Sequence, residues 1–198
     1  MFQKLIHLDK ELLIFLNNLG SPTFDGLWLI ITKQAYWTPF FLFLAFLIYK
    51  KFGIKYLGII ILIIALLLFI GNESVEFCKT YFHRFRPCND PEIKDLIRIV
   101  HHSKSFSFFS GHATNSMATM TFIYLILKKQ YQYIFLIFLY PLIFAYSRIY
   151  LGVHFPIDIL TGYVFGIILG TIFYKVFDYF LNKNLKNSTN GQTITNRQ

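Results

Sequence analysis

The sequence predicts an all-α fold, a polytopic membrane bundle of five to six transmembrane helices with an N-terminal amphipathic helix lying in the interface. Three observations support this class. Of 198 residues, 55% are hydrophobic and 15% are charged, a balance too apolar for an ordinary soluble domain. Several apolar runs approach the roughly 20 residues that a helix needs to cross a bilayer. Lysines separate these runs, as is typical of loops at the ends of membrane spans.

The amphipathic helix comes first. Its apolar residues recur at helical spacing among charged ones, which is typical of a helix that lies along a membrane surface. They are Phe2, Leu5, Ile6, Leu12, Leu13, Leu16 and Leu19. No small-residue cleavage site follows, so a cleavable signal peptide is not expected. Gly20, Ser21 and Pro22 then start a second apolar segment, Phe24–Thr32, and the sequence leaves open whether this segment is a partial sixth span.

Five further runs are predicted to span the membrane. They are Trp37–Tyr49, Ile54–Phe77, Phe108–Leu127, Tyr131–Tyr146 and Phe155–Phe177. With the segments before them they make one predicted membrane domain, residues 1–183. Residues 184–198 are rich in Asn, Thr and Gln, offer little that a core would bury, and are predicted to form a disordered tail.

Basic residues in short loops predict the orientation of the chain, because such loops stay in the cytoplasm. Three lysine clusters fall on one face if the spans alternate in direction: Lys50, Lys51 and Lys55; Lys128 and Lys129; Lys175, Lys183 and Lys186. The opposite, outer face carries basic residues as well. An anionic substrate is the explanation we favour for that surplus.

The first polar stretch on the outer face, residues 79–87, contains two cations suited to binding phosphate. Lys79 and Arg86 are seven residues apart, which is two helical turns, so both are expected to face one pocket. Pro87 is predicted to end the helix. We interpret His83 and Arg84, which alternate with aromatic residues, as membrane-interface residues. A basic collar at the membrane surface is the alternative interpretation of the whole stretch.

The second stretch, Ser110, Gly111 and His112, opens an apolar helix. A helix start presents free backbone N–H groups and a partial positive charge, and both attract phosphate. The alternative is that Ser110 only caps the helix.

The third stretch pairs an imidazole with a carboxylate. His154 and Asp158 are one helical turn apart, and Pro156 suits the first turn of a helix. The carboxylate can hold one ring nitrogen and leave the other free to attack phosphorus. Asp158 lies at the mouth of an apolar span, where an unpaired charge is costly, so a partner is expected. A purely structural pair is the alternative.

Together the stretches resemble the type 2 phosphatidic acid phosphatase (PAP2) superfamily. The shared pattern is Lys, six residues, Arg-Pro; then Ser-Gly-His; then Ser-Arg, five residues, His, three residues, Asp, over residues 79–158. The resemblance implies an integral membrane phosphatase that needs no metal or other cofactor. It implies the following roles: phosphate binding by Lys79, Arg86, Ser110, Gly111 and Arg148; nucleophilic attack by His154; protonation of the leaving group by His112; and orientation of His154 by Asp158.

The resemblance also suggests partners and a location. The expected substrate is a phospholipid or lipid-linked phosphate in the bilayer, with lipid A phosphate or undecaprenyl pyrophosphate favoured and phosphatidylglycerophosphate or phosphatidate as alternatives. No nucleic acid partner is expected. The resemblance, together with the distribution of lysines between the spans, implies a bacterial inner membrane location with the site facing the periplasm. A vanadate-dependent haloperoxidase and a non-catalytic lipid carrier are competing hypotheses. The oligomeric state stays open.

Three smaller predictions complete the analysis. Phe109 stands where the family usually has proline, which puts the stiffness of that loop in question. The loop Asn89–Ser105 carries Arg98, His101, His102 and Lys104 and is a candidate headgroup contact. Cys78 and Cys88 are expected to be free thiols, although a disulfide is conceivable.

Overall fold

The computed structural model describes the backbone of residues 2–195 and the side chains of residues 3–183. The described backbone forms six α-helices and no strand, so the predicted all-α class is confirmed. The helices are α1 (Phe2–Asn18), α2 (Pro22–Ile31), α3 (Thr38–Phe82), α4 (Gly111–Leu127), α5 (Leu139–Tyr150) and α6 (Pro156–Thr195). The tail predicted for residues 184–198 lies outside the part described with its side chains.

Helix α3 is bent sharply at one glycine. Gly53 has φ 76° and ψ 176°, a conformation that side chains disfavour, and it divides α3 into arms of residues 38–52 and 54–82. Beside the bend, the Lys51 ammonium donates to the carbonyl of Ile126 in the last turn of α4. His112 starts that helix, 14 residues or about 21 Å away. The lysines at the bend therefore lie at the end of the bundle opposite His112.

In the described part of the chain, two mostly helical stretches are long and apolar enough to cross a bilayer, judged by length and composition: Gln34–Leu96 and Pro156–Lys183. The first contains two predicted spans, because α3 continues through the bend at Gly53. The apolar segments Pro22–Ile31 and Ile134–Tyr150 are shorter. Whether the spans number five or six stays a prediction.

Helices α4 and α6 pack backbone to backbone along a glycine stripe. Gly162, Gly166 and Gly170 recur every four residues on the face of α6 that meets α4, a pattern that lets membrane helices approach closely. A Cβ atom on Gly162 would lie 2.9 Å from the carbonyl oxygen of Ser110. The Ser110 N–H also donates to the Asp158 carbonyl at 3.0 Å. This packing holds the start of α4 against the start of α6.

Helix α1 docks on the bundle through polar residues. Asp9, Leu13 and Asn17 are buried, and the Asn17 amide donates to the carbonyls of Ile149 at 3.0 Å and Tyr150 at 2.9 Å. Apolar residues of α1 are exposed instead: Leu5, Leu8, Leu12 and Phe15, together with Leu19 directly after the helix. The expected amphipathic helix is present, but two of its polar residues face the protein because carbonyls and a guanidinium satisfy them there. Its leucines are free to contact lipid.

Candidate active site

A cavity of about 680 Å³ lies between the two arms of α3 and helices α4 and α5. One end is polar and receives residues from all three predicted motifs: Lys79, Arg86, Gly111, His112, Arg148 and His154. The other end is apolar and includes Leu57, Ile60, Ile64 and Leu68. Segments that are far apart in the sequence therefore meet around a single space.

His154 lies in the short connection between α5 and α6 and is buried. Its Nε2 is 3.0 Å from Nη1 of Arg86, and its Nδ1 is 3.5 Å from Oδ2 of Asp158. An arginine can only donate, so Nε2 is the acceptor and Nδ1 carries the ring proton. Burial lowers the pKa of His154 to about 4, although Asp158 acts in the opposite direction. The ring is therefore neutral near pH 7, with a lone pair on Nε2.

Asp158 is fully buried and held by several donors. Its Oδ2 accepts from the Phe155 N–H at 2.9 Å and from the Ser107 hydroxyl, and its Oδ1 accepts from Nη1 of Arg84 at 2.6 Å. A partner was expected for this carboxylate, and in the structure its partners include one cation, Arg84. Sequence reasoning did not identify Ser107, which stands outside every motif.

The interpretation of Arg84 as a membrane-interface residue is wrong. Its guanidinium bridges two carboxylates, Asp158 at 2.6 Å and Asp9 of α1 at 2.6 Å, and lies 3.9 Å from the centroid of the Phe155 ring. Asp9 in turn accepts from the Ile157 N–H at 2.9 Å, in the first turn of α6. In the sequence, only Asp158 at the mouth of an apolar span signals that a partner is needed, and nothing comparable marks Asp9 or points to Arg84.

The end of α3 also differs from the prediction. The helix ends at Phe82, five residues before Pro87, because His83 adopts the left-handed conformation with φ 49°, a common way for a helix to stop. Arg86 follows in extended conformation. Lys79 and Arg86 are therefore not two turns apart on one helix, yet both line the cavity.

The two arginines of the cavity are anchored from behind. Arg86 donates from Nε to the Ser105 carbonyl and from Nη2 to the Ser105 hydroxyl, both at 2.9 Å. Arg148 donates from Nη1 to Thr32 Oγ1 at 2.6 Å. Its Nε is buried without a partner in the described part of the chain. Such anchoring fixes part of each guanidinium and leaves other N–H groups for an anion.

Positive charge exceeds negative charge along the cavity lining. Lys79, Arg86 and Arg148 contribute three cations, and Glu76 is the acidic residue among the described lining residues. Glu76 lies 2.7 Å from the Lys79 ammonium. The surplus suits a ligand with about two negative charges, such as a phosphate monoester.

At the start of α4, Ser110 is the N-cap, and its Oγ accepts from the Ala113 N–H at 3.4 Å. Ser110 is fully buried and is not among the cavity-lining residues, so its role in phosphate binding stays a prediction. Gly111 and His112 do line the cavity. The His112 ring stacks on Phe144 with centroids 4.8 Å apart, which fixes the plane of the imidazole.

Comparison with known proteins agrees with this geometry. The profile of the PAP2 superfamily matches residues 53–181. The chain belongs to the PAP2 superfamily. A lipid A 4'-phosphatase of Porphyromonas gingivalis is 33% identical over 178 residues, which cover 88% of this chain and 75% of that protein. A lipid A 4'-phosphatase of Bacteroides thetaiotaomicron is 31% identical over 181 residues, which cover 89% and 80%.

Two solved structures of lipid phosphatases have a fold similar to that of this chain. The crystal structure of Aquifex aeolicus LpxE has a TM-score of 0.60 and 28% identity and covers 83% of this chain and 93% of that one. A PAP2 type phosphatidylglycerolphosphate phosphatase from Bacillus subtilis has a TM-score of 0.67 at 20% identity, with coverage of 89% and 87%, and supports the fold. This chain is thus a membrane PAP2 lipid phosphatase, a phosphoric monoester hydrolase.

The structure also bears on the three smaller predictions, which concern Phe109, the loop Asn89–Ser105 and the two cysteines. Phe109, at the position where proline is usual, is buried, and its ring packs on Phe165 at 5.3 Å between centroids, so aromatic packing restrains the loop. None of the five basic residues in Asn89–Ser105 lines the cavity, and Arg98 pairs with Asp25 of α2 at 2.8 Å. Both cysteines are free, as predicted.

Proposed function

We propose that this PAP2 phosphatase removes a phosphate from lipid A or a closely similar glycolipid through a phosphohistidine on His154. The observation that carries the proposal is the cavity, in which a cationic end with two imidazoles continues into an apolar trough. A phosphate fits the first part and a hydrocarbon chain the second. The names of two relatives, both lipid A 4'-phosphatases, support the choice of substrate.

In the first step, Nε2 of His154 attacks the phosphorus atom. A P–N bond forms, the P–O bond to the lipid breaks, and the departing oxygen takes a proton from His112. In the resting site Arg86 Nη1 donates to this nitrogen at 3.0 Å. When phosphate binds, this N–H group donates to a phosphate oxygen instead, which frees the Nε2 lone pair and places that oxygen beside the nucleophile. Lys79 and Arg148 neutralise charge on the other oxygens. Asp158 stabilises the positive charge that develops on the imidazole.

In the second step, water attacks the phosphohistidine. His112, now unprotonated, removes a proton from that water while the P–N bond breaks and its electron pair returns to Nε2 of His154. Inorganic phosphate leaves, and both histidines regain their starting protonation. The same residue thus serves as acid and then as base.

Arg84 acts through Asp158 in this proposal. Because its guanidinium binds both Asp158 and Asp9 at 2.6 Å, it fixes the carboxylate that orients His154. Arg84 is a positioning residue, since it is not among the residues that line the cavity.

We place the enzyme in the bacterial inner membrane with the cationic end of the cavity toward the periplasm. Support comes from Lys51, which binds the far end of α4; lysines at that end favour the cytoplasmic side. The bilayer is the partner through which a lipid reaches the apolar trough.

The function is tested with the purified protein in detergent and a panel of lipid A, undecaprenyl pyrophosphate, phosphatidylglycerophosphate and phosphatidate. We expect phosphate release to be fastest from lipid A. Release from none of these lipids would overturn the proposed function, whereas faster release from another lipid would overturn only the choice of substrate.

Chelators should leave this activity unchanged. Lys79, Arg86 and Arg148 line the cavity and supply the electrostatic stabilisation that a metal ion supplies in other phosphatases. Phosphate release measured with and without excess EDTA checks this. Loss of activity with EDTA and recovery with a divalent cation would contradict the expectation.

Narrowing the apolar trough should affect lipids selectively. Ile64 lines the cavity, so Ile64→Trp is expected to lower kcat/KM for a long-chain lipid by about tenfold or more and to spare a short soluble phosphate ester. Leu62→Trp is the matched control, since Leu62 is 71% exposed on the same helix. Equal losses on both substrates would show that the trough does not hold the chain.

A further inference from the structure

The wall of the cavity has three zones along two facing helices: a cationic zone, a neutral polar zone and an apolar zone. On α3, Lys79 is followed toward the bend by Glu76, then Asn72, then Leu68; on α4, His112 is followed by Asn115, then Thr119, then Ile123. These residues recur every three or four positions, so each set occupies one helix face. Between the cationic end and the apolar trough lies a neutral polar belt, which we define as Asn72, Asn115 and Thr119.

The belt lies far enough from the cationic end to meet a group larger than an ester linkage. Seven residues separate Lys79 from Asn72, which is about 10 Å along the helix. The order of the wall, from cationic to hydrogen-bonding to apolar, is the order of groups in a lipid whose phosphate is attached to a sugar. An isoprenyl pyrophosphate passes directly from charge to hydrocarbon and offers nothing for the belt to bind.

Two amides of the belt meet across the helices. The Asn115 amide donates to the Asn72 side-chain oxygen at 2.6 Å. Asn115 Oδ1 is buried and has no partner among the described residues; it faces Gly71, where a Cβ atom would lie 2.5 Å from it. Reversing both amides would keep the bond and would still leave one atom of Asn115 unpaired. The Asn72 amide nitrogen makes no hydrogen bond within residues 3–183.

Two amide side chains at membrane depth destabilise a membrane protein unless their polar atoms are hydrogen-bonded to the protein or to a ligand. Polar side chains at membrane depth are rare and commonly mark substrate sites. The simplest structural role, a hydrogen bond joining α3 to α4, accounts for one donor and one acceptor only. It does not account for Thr119, which lines the same cavity one turn further along α4.

We propose that Asn72, Asn115 and Thr119 form a subsite for the sugar that carries the phosphate, and that this subsite selects glycolipid phosphates over isoprenyl pyrophosphates. The inference rests on the proposed lipid phosphatase function and specifies its substrate class. The amides bind hydroxyl or acylamino groups of an amino sugar next to the scissile phosphate. The subsite positions the leaving group and takes no part in bond cleavage.

The test compares three substrates in wild type and in Asn72→Leu, Asn115→Leu and Thr119→Val. We expect each amide replacement to lower kcat/KM for lipid A by about tenfold, the effect of one lost hydrogen bond to a sugar. Thr119→Val, which preserves shape, should lower it about threefold. Hydrolysis of undecaprenyl pyrophosphate and of p-nitrophenyl phosphate should stay at the wild-type rate or rise.

Thr171→Val is the matched control for removing a polar group from a membrane helix, because within the described residues its hydroxyl binds the Ile167 carbonyl of its own helix, at 2.7 Å, and no other group. It should change none of the three rates. If the belt variants lost kcat/KM equally on all three substrates and unfolded at a lower temperature in detergent, the belt would have only a structural role. Unchanged lipid A kinetics in all three variants would equally overturn the subsite. Failure of the wild type to hydrolyse any lipid is a separate result and would count against the proposed function itself.

Discussion

Replacement of His154 by alanine is expected to lower phosphate release by four to six orders of magnitude, the loss typical of removing a catalytic nucleophile. The imidazole is buried, its Nε2 faces Arg86 at 3.0 Å, and its neighbour Asp158 is fully buried. Among the described residues that line the cavity, His154 is the imidazole held by Arg86 on one side and Asp158 on the other. The measurement is single-turnover and steady-state phosphate release from lipid A.

The matched control is His7→Ala, which removes an exposed imidazole that contacts Glu11 on α1 and should leave the rate unchanged. A second readout tests the covalent step itself. Wild-type enzyme quenched in acid-free conditions during turnover of ³²P-labelled lipid should carry base-stable, acid-labile label, and His154→Ala should carry none. A variant that keeps its activity, or that still takes up label, would refute His154 as the nucleophile.

The sequence is sufficient to predict the class of fold because burial in lipid imposes a simple pattern. Apolar runs near Ile54–Phe77 and Phe155–Phe177 have few alternatives to membrane helices. The end of α3 is harder to predict, because Pro87 is a visible stop signal, whereas the conformation of His83 that stops the helix first has no comparable sequence signal.

The motif residues of the site can likewise be predicted, since order and spacing identify Lys79, Arg86, His112, Arg148 and His154, and all five line the cavity. The supporting residues could not be predicted in this way. Asp9 and Arg84 are 75 residues apart, and no local pattern couples them. The argument that each buried carboxylate needs a cation gives the need for a partner but not its identity. Only the docking of α1 on the bundle determines that Arg84 serves both Asp9 and Asp158.

Replacement of Arg84 by methionine is expected to lower both the stability and the activity of the enzyme, because Arg84 pairs with two carboxylates. Arg84→Met keeps the apolar stem of the side chain but leaves Asp9 and Asp158 without their cation, and both carboxylates are buried. We expect the free energy of unfolding to fall by about 3 kcal/mol, the lower end of the range for a broken buried pair, because the guanidinium is itself 23% exposed. We also expect kcat to fall by about 100-fold, as a small displacement of His154 would cause.

A second substitution separates these two effects. In Arg84→Met/Asp9→Asn the buried charge on α1 is removed, so much of the lost stability should return, whereas Asp158 still lacks Arg84 and kcat should stay low. Asp9→Asn alone should keep kcat near the wild-type value, because the 2.6 Å bond from Arg84 to Asp158 remains. Inhibition by inorganic phosphate should be similar in all variants, since Lys79, Arg86 and Arg148 are untouched. Arg84→Lys keeps the positive charge but lacks the planar guanidinium that binds two carboxylates at once. Its kcat should therefore lie between those of Arg84→Met and the wild type. If instead kcat returned together with stability in the double variant, Arg84 would be a purely structural residue, and the orientation of His154 would depend on Ser107 and the Phe155 N–H, the other two donors to Asp158.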